Sequence, residues 1–295
     1  MSKVFFYLVV KPLSRIPLSI TYLFSDFVFF LLYRVIGYRK KVVRTNMTNS
    51  FPEKSKAEID RLVVAFYRHF CDLIVEGIRL FSMPKEEVLR RFKVVNPEVV
   101  DQFHDRGQGV FMIAGHYNNW ELAVVAFDIQ IKHRSVAIYA PLKDKFLNGK
   151  LAASRQRFGL ELLPRKQVRS FFKDANSKNT AVVFANDQTP SSVKGAYWMD
   201  FLNQDTPIFF GPEKYAKEYN FIPVFAFIKK LKRGHYETEF VVMNENPRAT
   251  EYGEITRQHT EMLEREIREA PEFWLWTHRR WKRKRTPEQK QEMMA

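Results

Sequence analysis

Hydrophobic positions run along this chain in three regimes. From Ile16 to Tyr33 they are nearly continuous (IPLSITYLFSDFVFFLLY), with Asp26 as the only charge. That length is at the short end for crossing a bilayer. A shorter apolar segment, Val4–Val10, precedes it across Lys11, Pro12, Arg15 and Pro17, and a basic flank of Arg34, Arg39, Lys40, Lys41 and Arg44 follows. This arrangement predicts a membrane-associating segment over 1–38 with its basic end on the cytoplasmic side. No small-residue cleavage site follows, so a removable signal peptide is not expected. Asp26 and the aromatics Tyr22, Phe24, Phe27, Phe29 and Phe30 favour an interfacial or oblique helix over a clean span. The bland alternative is a buried helix covering a groove of the following domain.

The second regime has the helical period. Ser55 and Glu58 stand at capping-box spacing. Ile59, Leu62, Val63, Phe66, Phe70, Leu73, Ile74 and Ile78 then mark one face of a long helix. From about residue 92 strands and helices alternate. Val110–Ala114 is a short continuous apolar run ending at Gly115, as a buried parallel strand reads, and a helix starts near Trp120 with Asn118 or Asn119 as its cap. Further strands are expected at Ser135–Ala140, Thr180–Ala185, Phe221–Ile228 and Tyr236–Met243. Helices are expected over 144–158 and 212–219, and a last one carries Ile255, Met262, Leu263 and Ile267. The order predicts an α/β fold with a mostly parallel central sheet flanked by helices, and reactive groups where its strands end. The folded unit built on this sheet would then occupy 39–285, with a polar tail over 286–295.

Composition sharpens this. Lysine and arginine number 48 against 33 acids, a net charge of +15, so a phosphate-bearing partner is expected: nucleic acid, an anionic bilayer or a phosphorylated substrate. The single cysteine, Cys71, cannot form an internal disulfide and reads as core filler. The last block, PEFWLWTHRRWKRKR (Pro271–Arg285), interleaves aromatics and cations, six of the seven positions Arg279–Arg285 being basic with Trp281 among them, a mixture that suits an anionic membrane interface or RNA. No recognition helix, zinc module or RNA-binding aromatic motif accompanies it.

Candidate chemistry lies at two strand ends. His116 and Glu121, in GHYNNWE, can meet if His116 is in the strand-to-helix turn and Glu121 in the first helical turn. A carboxylate on one imidazole nitrogen leaves the other free to take a proton from a hydroxyl. Asp187 ends a second apolar strand and can reach the same mouth. It also reads as a turn or cap residue. Arg155, Arg157 and Arg165 lie between these ends as a possible phosphate cluster or simply as solvated helix charges. His104, His133 and Asp187 are conceivable additional metal ligands, but no ligand spacing of a known zinc type is present, and no cofactor is expected.

Taken together, these residues resemble the lipid A biosynthesis late acyltransferase family, a branch of the lysophospholipid acyltransferase superfamily, over nearly the whole chain. RKKVVRTNMTNSFPEKS (Arg39–Ser55) is similar to its entry segment, and GHYNNWE (Gly115–Glu121) to its His-x4-acid motif. SRQRFG (Ser154–Gly159) and PRK (Pro164–Lys166) resemble its arginine block, and NDQ (Asn186–Gln188) its strand-end Asp-Gln. FGPEKYA (Phe210–Ala216) and PEFWLWTHRRWK (Pro271–Lys282) complete the match. The resemblance implies a glycerol-3-phosphate-acyltransferase-like fold, with His116 as general base, Glu121 as its partner, and Arg155 and Asp187 as further catalytic residues. Substrate contacts are expected from Asn119, Arg157, Arg165 and Gln188. It also implies an acyl thioester donor (acyl carrier protein or CoA), a phosphorylated glycolipid acceptor, and a bacterial inner membrane location with the catalytic unit on the cytoplasmic face. The rivals are a basic nucleic-acid-binding protein and an inactive membrane scaffold.

Overall fold

The computed structural model describes residues 1–285; the expected tail over 286–295 lies outside the described residues. Seven strands form one sheet in the order β1-β9-β8-β2-β5-β3-β4. They are β1 (Phe92–Val94), β2 (Val110–Ala114), β3 (Arg134–Tyr139), β4 (Glu161–Pro164), β5 (Thr180–Ala185), β8 (Ile222–Lys232) and β9 (His235–Val242). Every pairing is parallel except β8 with β9, which are joined through the positive-φ Gly234. A separate antiparallel pair, β6 (Tyr197–Phe201) and β7 (Gln204–Ile208), was not expected from the apolar pattern.

The central strands are apolar throughout because both faces are covered. Phe111, Ile113, Val182 and Phe184 point to one layer, which contains the buried side of the Lys56–Leu80 helix and of the Glu254–Glu269 helix. Val110, Met112, Ala181 and Val183 point to the other, packed against Leu122, Val125 and Ala126 of the Trp120–Phe127 helix. The capping box at Ser55 and Glu58 is formed, with both reciprocal hydrogen bonds. Cys71 is buried, and burial pushes its thiol up to about 12.

The Leu18–Phe29 helix continues through a π-helical stretch, Phe30–Ile36, and this whole rod is long and apolar enough to cross a membrane. Its polarity is inverted relative to a surface helix. Ile20, Leu23, Phe24, Phe27 and Phe30 are exposed. Hydroxyls point inward: Ser25 Oγ donates to Asp72 Oδ1 (2.8 Å) and Tyr22 Oη to Glu76 Oε1 (2.7 Å), while the exposed Asp26 pairs with Arg233 (3.2 Å). Asp26 joins the helix to the β8–β9 turn through this pair.

Those contacts enter a buried polar network that the apolar periodicity concealed. Arg233 donates from Nε to both oxygens of Asp72 at 3.0 Å and from Nη2 to Oδ1 at 2.6 Å. Glu76 is 2% exposed and accepts from Tyr22, from Tyr236 Oη (2.8 Å) and from Asn119 Nδ2 (2.6 Å). Burial pushes its carboxyl above the ordinary range, against the opposing effect of those hydrogen bonds. Removing the acceptor leaves three buried donors without a partner, a cost of about 2–4 kcal/mol. Glu76→Ala should therefore lower the thermal midpoint of the detergent-solubilised chain by several degrees in a melting scan, with Glu76→Gln losing clearly less. Equal midpoints for wild type and Glu76→Ala would show that the network adds nothing to stability.

Candidate active site

Register brings the site together. β2 and β5 are adjacent and parallel, with Ala114 opposite Ala185 at their ends. His116 and Asp187 each lie two residues beyond that pair, so they arrive side by side at the mouth of the sheet, where an open α/β sheet gathers its reactive groups. Asn186 continues the ladder, donating its backbone N–H to Ala114 O (3.0 Å). Gly115 is needed at the exit of β2: a Cβ there would sit 2.6 Å from Cδ1 of Leu263 on the Glu254–Glu269 helix.

The turn after His116 is held from several sides. Asn118 adopts a positive φ of 49°, its backbone N–H donates to Phe273 O (3.0 Å), and its Nδ2 donates to Ile228 O (2.5 Å). Tyr117 Oη reaches Glu266 O and Ala270 O, each at 3.0 Å. Asn119 Oδ1 then accepts from Leu122 N (2.9 Å) and starts the Trp120–Phe127 helix. Of the two asparagines expected as caps, the second is used.

The imidazole has a partner other than the expected one. Asp187 Oδ1 lies 2.6 Å from His116 Nδ1, while its Oδ2 accepts from His116 N (2.8 Å) and from Trp274 Nε1 (2.8 Å). Burial alone would raise the Asp187 carboxyl, but the His116 charge and hydrogen bonds outweigh it and bring it down to about 2. Burial likewise opposes a charged His116, yet the charge of Asp187, its hydrogen bond and then the charge of Glu121 raise the ring above its ordinary value. An ionised Asp187 only accepts, so Nδ1 carries the proton and Nε2 keeps its lone pair. Gln188 Nε2 lies 3.3 Å from that second nitrogen.

Glu121, expected on the imidazole, instead takes Arg155 in a two-pronged ion pair, Nε to Oε2 at 2.9 Å and Nη2 to Oε1 at 2.5 Å. Glu121 is the second residue of its helix, so its backbone orientation carries the carboxylate across the opening rather than back along the turn. His116, Glu121, Arg155, Arg165 and Gln188 all line one cavity of about 240 Å³, whose remaining wall is largely apolar: Val124, Ile138, Leu142, Leu151, Leu162 and Phe184. A second cavity of about 250 Å³ adjoins it, sharing Ile138, Arg165, Phe184 and Gln188.

Two expected substrate contacts lie elsewhere. Arg157 points away, its Nη2 donating to Leu80 O (2.8 Å) and Met83 O (2.6 Å), and it does not line the cavity of His116. Asn119 is 4% exposed and is spent on the helix cap and on Glu76. His104 and His133 meet edge to face, 5.2 Å between ring centres, and neither lines that cavity.

Several working residues escaped the sequence reading. Trp274 and Trp276 belong to the block that composition assigned to a membrane or RNA surface, yet both are buried. Asn46 Nδ2 holds this segment by donating to Trp276 O and His278 O, each at 3.0 Å. Arg280 is also buried and donates to Pro207 O (2.9 Å). Glu213, in the FGPEKYA motif, accepts from Gly253 N, Thr256 N and Thr256 Oγ1 and fixes the start of the Glu254–Glu269 helix. The signal for Trp274 was its proximity to motif residues, which gives no direction for an indole N–H.

An imidazole polarised by a buried carboxylate, beside an apolar cavity with an acid–arginine pair, equips a protein for activating a hydroxyl next to a hydrocarbon. The family model described as bacterial lipid A biosynthesis acyltransferase matches residues 3–283, and the chain belongs to that family of acyl-transferring enzymes. It is similar to a lipid A biosynthesis palmitoleoyltransferase of Escherichia coli (strain K12), 21% identical over 245 residues, 83% of this chain and 79% of the relative. The likeness to a lipid A biosynthesis acyltransferase of Shigella flexneri has the same identity and coverage.

Trp274→Phe keeps the bulk and removes the N–H that reaches Asp187. We expect roughly a tenfold fall in kcat with little change in KM or in the melting midpoint, because about 1.4 kcal/mol of hydrogen bonding to a charged group is lost. Unchanged kcat would show that Asp187 does not depend on the indole.

Proposed function

We propose that the chain transfers a fatty acyl group from a thioester donor to a hydroxyl of a lipid A precursor or related glycolipid, with His116 as general base. The observation that supports this most directly is the 2.6 Å contact of Asp187 with His116 Nδ1, with Nε2 facing the cavity beside Gln188. In this reading the acceptor hydroxyl takes the position next to Nε2 and gives up its proton there. The alkoxide attacks the thioester carbonyl, the tetrahedral intermediate collapses, and the thiol leaves with the proton returned by the imidazolium. The sequence suggested Glu121 as the partner of His116; the contacts favour Asp187 in that role, with Glu121 acting on the ring through its charge and fixing Arg155.

Oxyanion stabilisation falls to cationic or amide side chains. The backbone N–H of His116 is committed to Asp187 and that of Asn118 to Phe273. Arg165 lines the cavity and offers positive charge where negative charge develops, while Arg155, also in the lining, is held in its ion pair with Glu121. Gln188 and Arg165, shared by the two cavities, are placed to separate a hydrocarbon chain on the apolar walls from a phosphorylated headgroup nearer solvent. A glycerol-3-phosphate-acyltransferase-like fold fits the sheet. An acyl carrier protein donor, an inner membrane location and a cytoplasmic catalytic face fit the basic flank that follows the apolar helix.

His116→Ala should abolish transfer of radiolabelled acyl groups while leaving the melting midpoint within a few degrees; near-normal transfer by a folded variant would remove the assignment. The pH profile tests the pairing. A base works in its neutral form, so a ring raised above its ordinary value of about 6.5 places the acidic limb of kcat/KM above that pH, with activity lost as pH falls. Asp187→Asn removes the charge that raises the ring. The limb should move to lower pH while the plateau drops by about 10²–10⁴-fold. A limb that stays in place would mean that Asp187 does not set the basicity of His116.

A further inference from the structure

Outside the site, the most strongly charged concavity is a groove where the apolar rod ends. The rod's last residue is Ile36, and the groove begins at Gly37. It is lined by Arg39, Lys40 and Lys41 from the start of the Lys40–Ser50 helix, and by Arg279, Lys282 and Lys284 from the C-terminal block, with Trp281 and Asn49 between them. No carboxylate among the described residues lines it. Among the described residues none of those cations forms an ion pair, although Arg44 and Arg285 close by are taken by Asp60 and Asp205.

The groove is assembled, not incidental. Two segments more than 200 positions apart are clamped together below it by Asn46 on Trp276 O and His278 O and by Arg39 Nη1 on Thr277 O (3.0 Å). That clamp gathers like charges which repel one another, and among the described residues no carboxylate pairs with them. The first turn of the Lys40–Ser50 helix has no side-chain cap, and its dipole adds to the positive potential of one wall. A concavity of about 640 Å³ with this charge has room for one or more anionic phosphate groups.

We propose that the groove seats the phosphate of anionic membrane-lipid headgroups at the level where the apolar rod leaves the bilayer. Val35 and Ile36, 63% and 64% exposed, carry apolar surface up to the rim, so hydrocarbon and phosphate contacts follow each other within a few residues. This continuity favours a lipid surface over an acidic carrier protein, which would have no use for the adjoining apolar side chains. The inference rests on the membrane-facing reading of the rod and is independent of the acyl-transfer chemistry.

The test is calorimetric titration of the full chain, in neutral detergent micelles, with micelle-soluble phosphatidylglycerol, phosphatidylcholine or inorganic phosphate. Phosphatidylglycerol should bind, with phosphatidylcholine at least tenfold weaker and inorganic phosphate weaker still. The triple variant Arg279→Gln/Lys282→Gln/Lys284→Gln should lose on the order of tenfold to a hundredfold in affinity for phosphatidylglycerol. Lys173→Gln/Lys178→Gln/Lys232→Gln, which removes the same charge from exposed positions elsewhere, should change it less than twofold, and Lys282→Arg/Lys284→Arg should retain it. Equal losses in the two triple variants, equal binding of both lipids, or free phosphate binding as tightly as phosphatidylglycerol would each overturn the proposal. So would a groove variant that keeps phosphatidylglycerol but loses acyl carrier protein. If the wild-type chain fails to enter neutral vesicles, the reading of the rod fails separately, while the micelle titration still decides the groove.

Discussion

Three parts of the chain meet on one buried carboxylate. Asp187, at the end of β5, accepts from the backbone and ring of His116 after β2 and from Trp274 in the C-terminal segment. Such a group is costly to keep ionised out of water unless its oxygens are filled. Filling them requires the β2–β5 register, the turn after Gly115 and the placement of Trp274 at the same time. The demand therefore runs outward: Trp274 is placed by a segment that Asn46 and Arg39 hold, and the turn is held by Tyr117, Asn118 and Asn119. The chemistry of the site and the closure of the fold share these bonds.

The apolar rod is tied into the same system. Through Tyr22 and Glu76 it is two hydrogen bonds from Asn119, the residue that starts the helix bearing Glu121. Its outward face is largely hydrocarbon, while its buried face carries the hydroxyls of Thr21 and Ser25 beside Leu18 and Tyr33, unlike a helix made to lie on a protein in water. The membrane and covering-helix alternatives drawn from the sequence are thus compatible: one side packs on the Lys56–Leu80 helix and the other presents exposed aliphatic and aromatic side chains.

Much of the architecture was legible in the chain. Continuous apolar runs bounded by Gly115, Pro141 and Asn186 marked buried strands, and Ser55 with Glu58 marked a helix start, because these signals are local. The β6–β7 pair was not legible, since Tyr197–Phe201, YWMDF, shows neither alternation nor a buried run. At the site, the residues were visible but their pairing was not. Whether His116 meets Glu121 or Asp187 depends on strand register and on the direction of one helix, and spacing along the chain contains neither. Arg157 and Trp276 show the same limit from opposite sides, since a cation was spent on carbonyls and an indole in a basic block was buried.

The inward polar face of the rod has a consequence for how this enzyme can be handled. A version trimmed of its first forty residues to make it soluble would not simply lose a tether. It would strip Asp72 and Glu76 of Ser25 and Tyr22, release Arg233 from Asp26, and bare a long flank of the catalytic unit to solvent. The apolar rod is a structural wall of the body it packs on, and the two have to be purified as one piece.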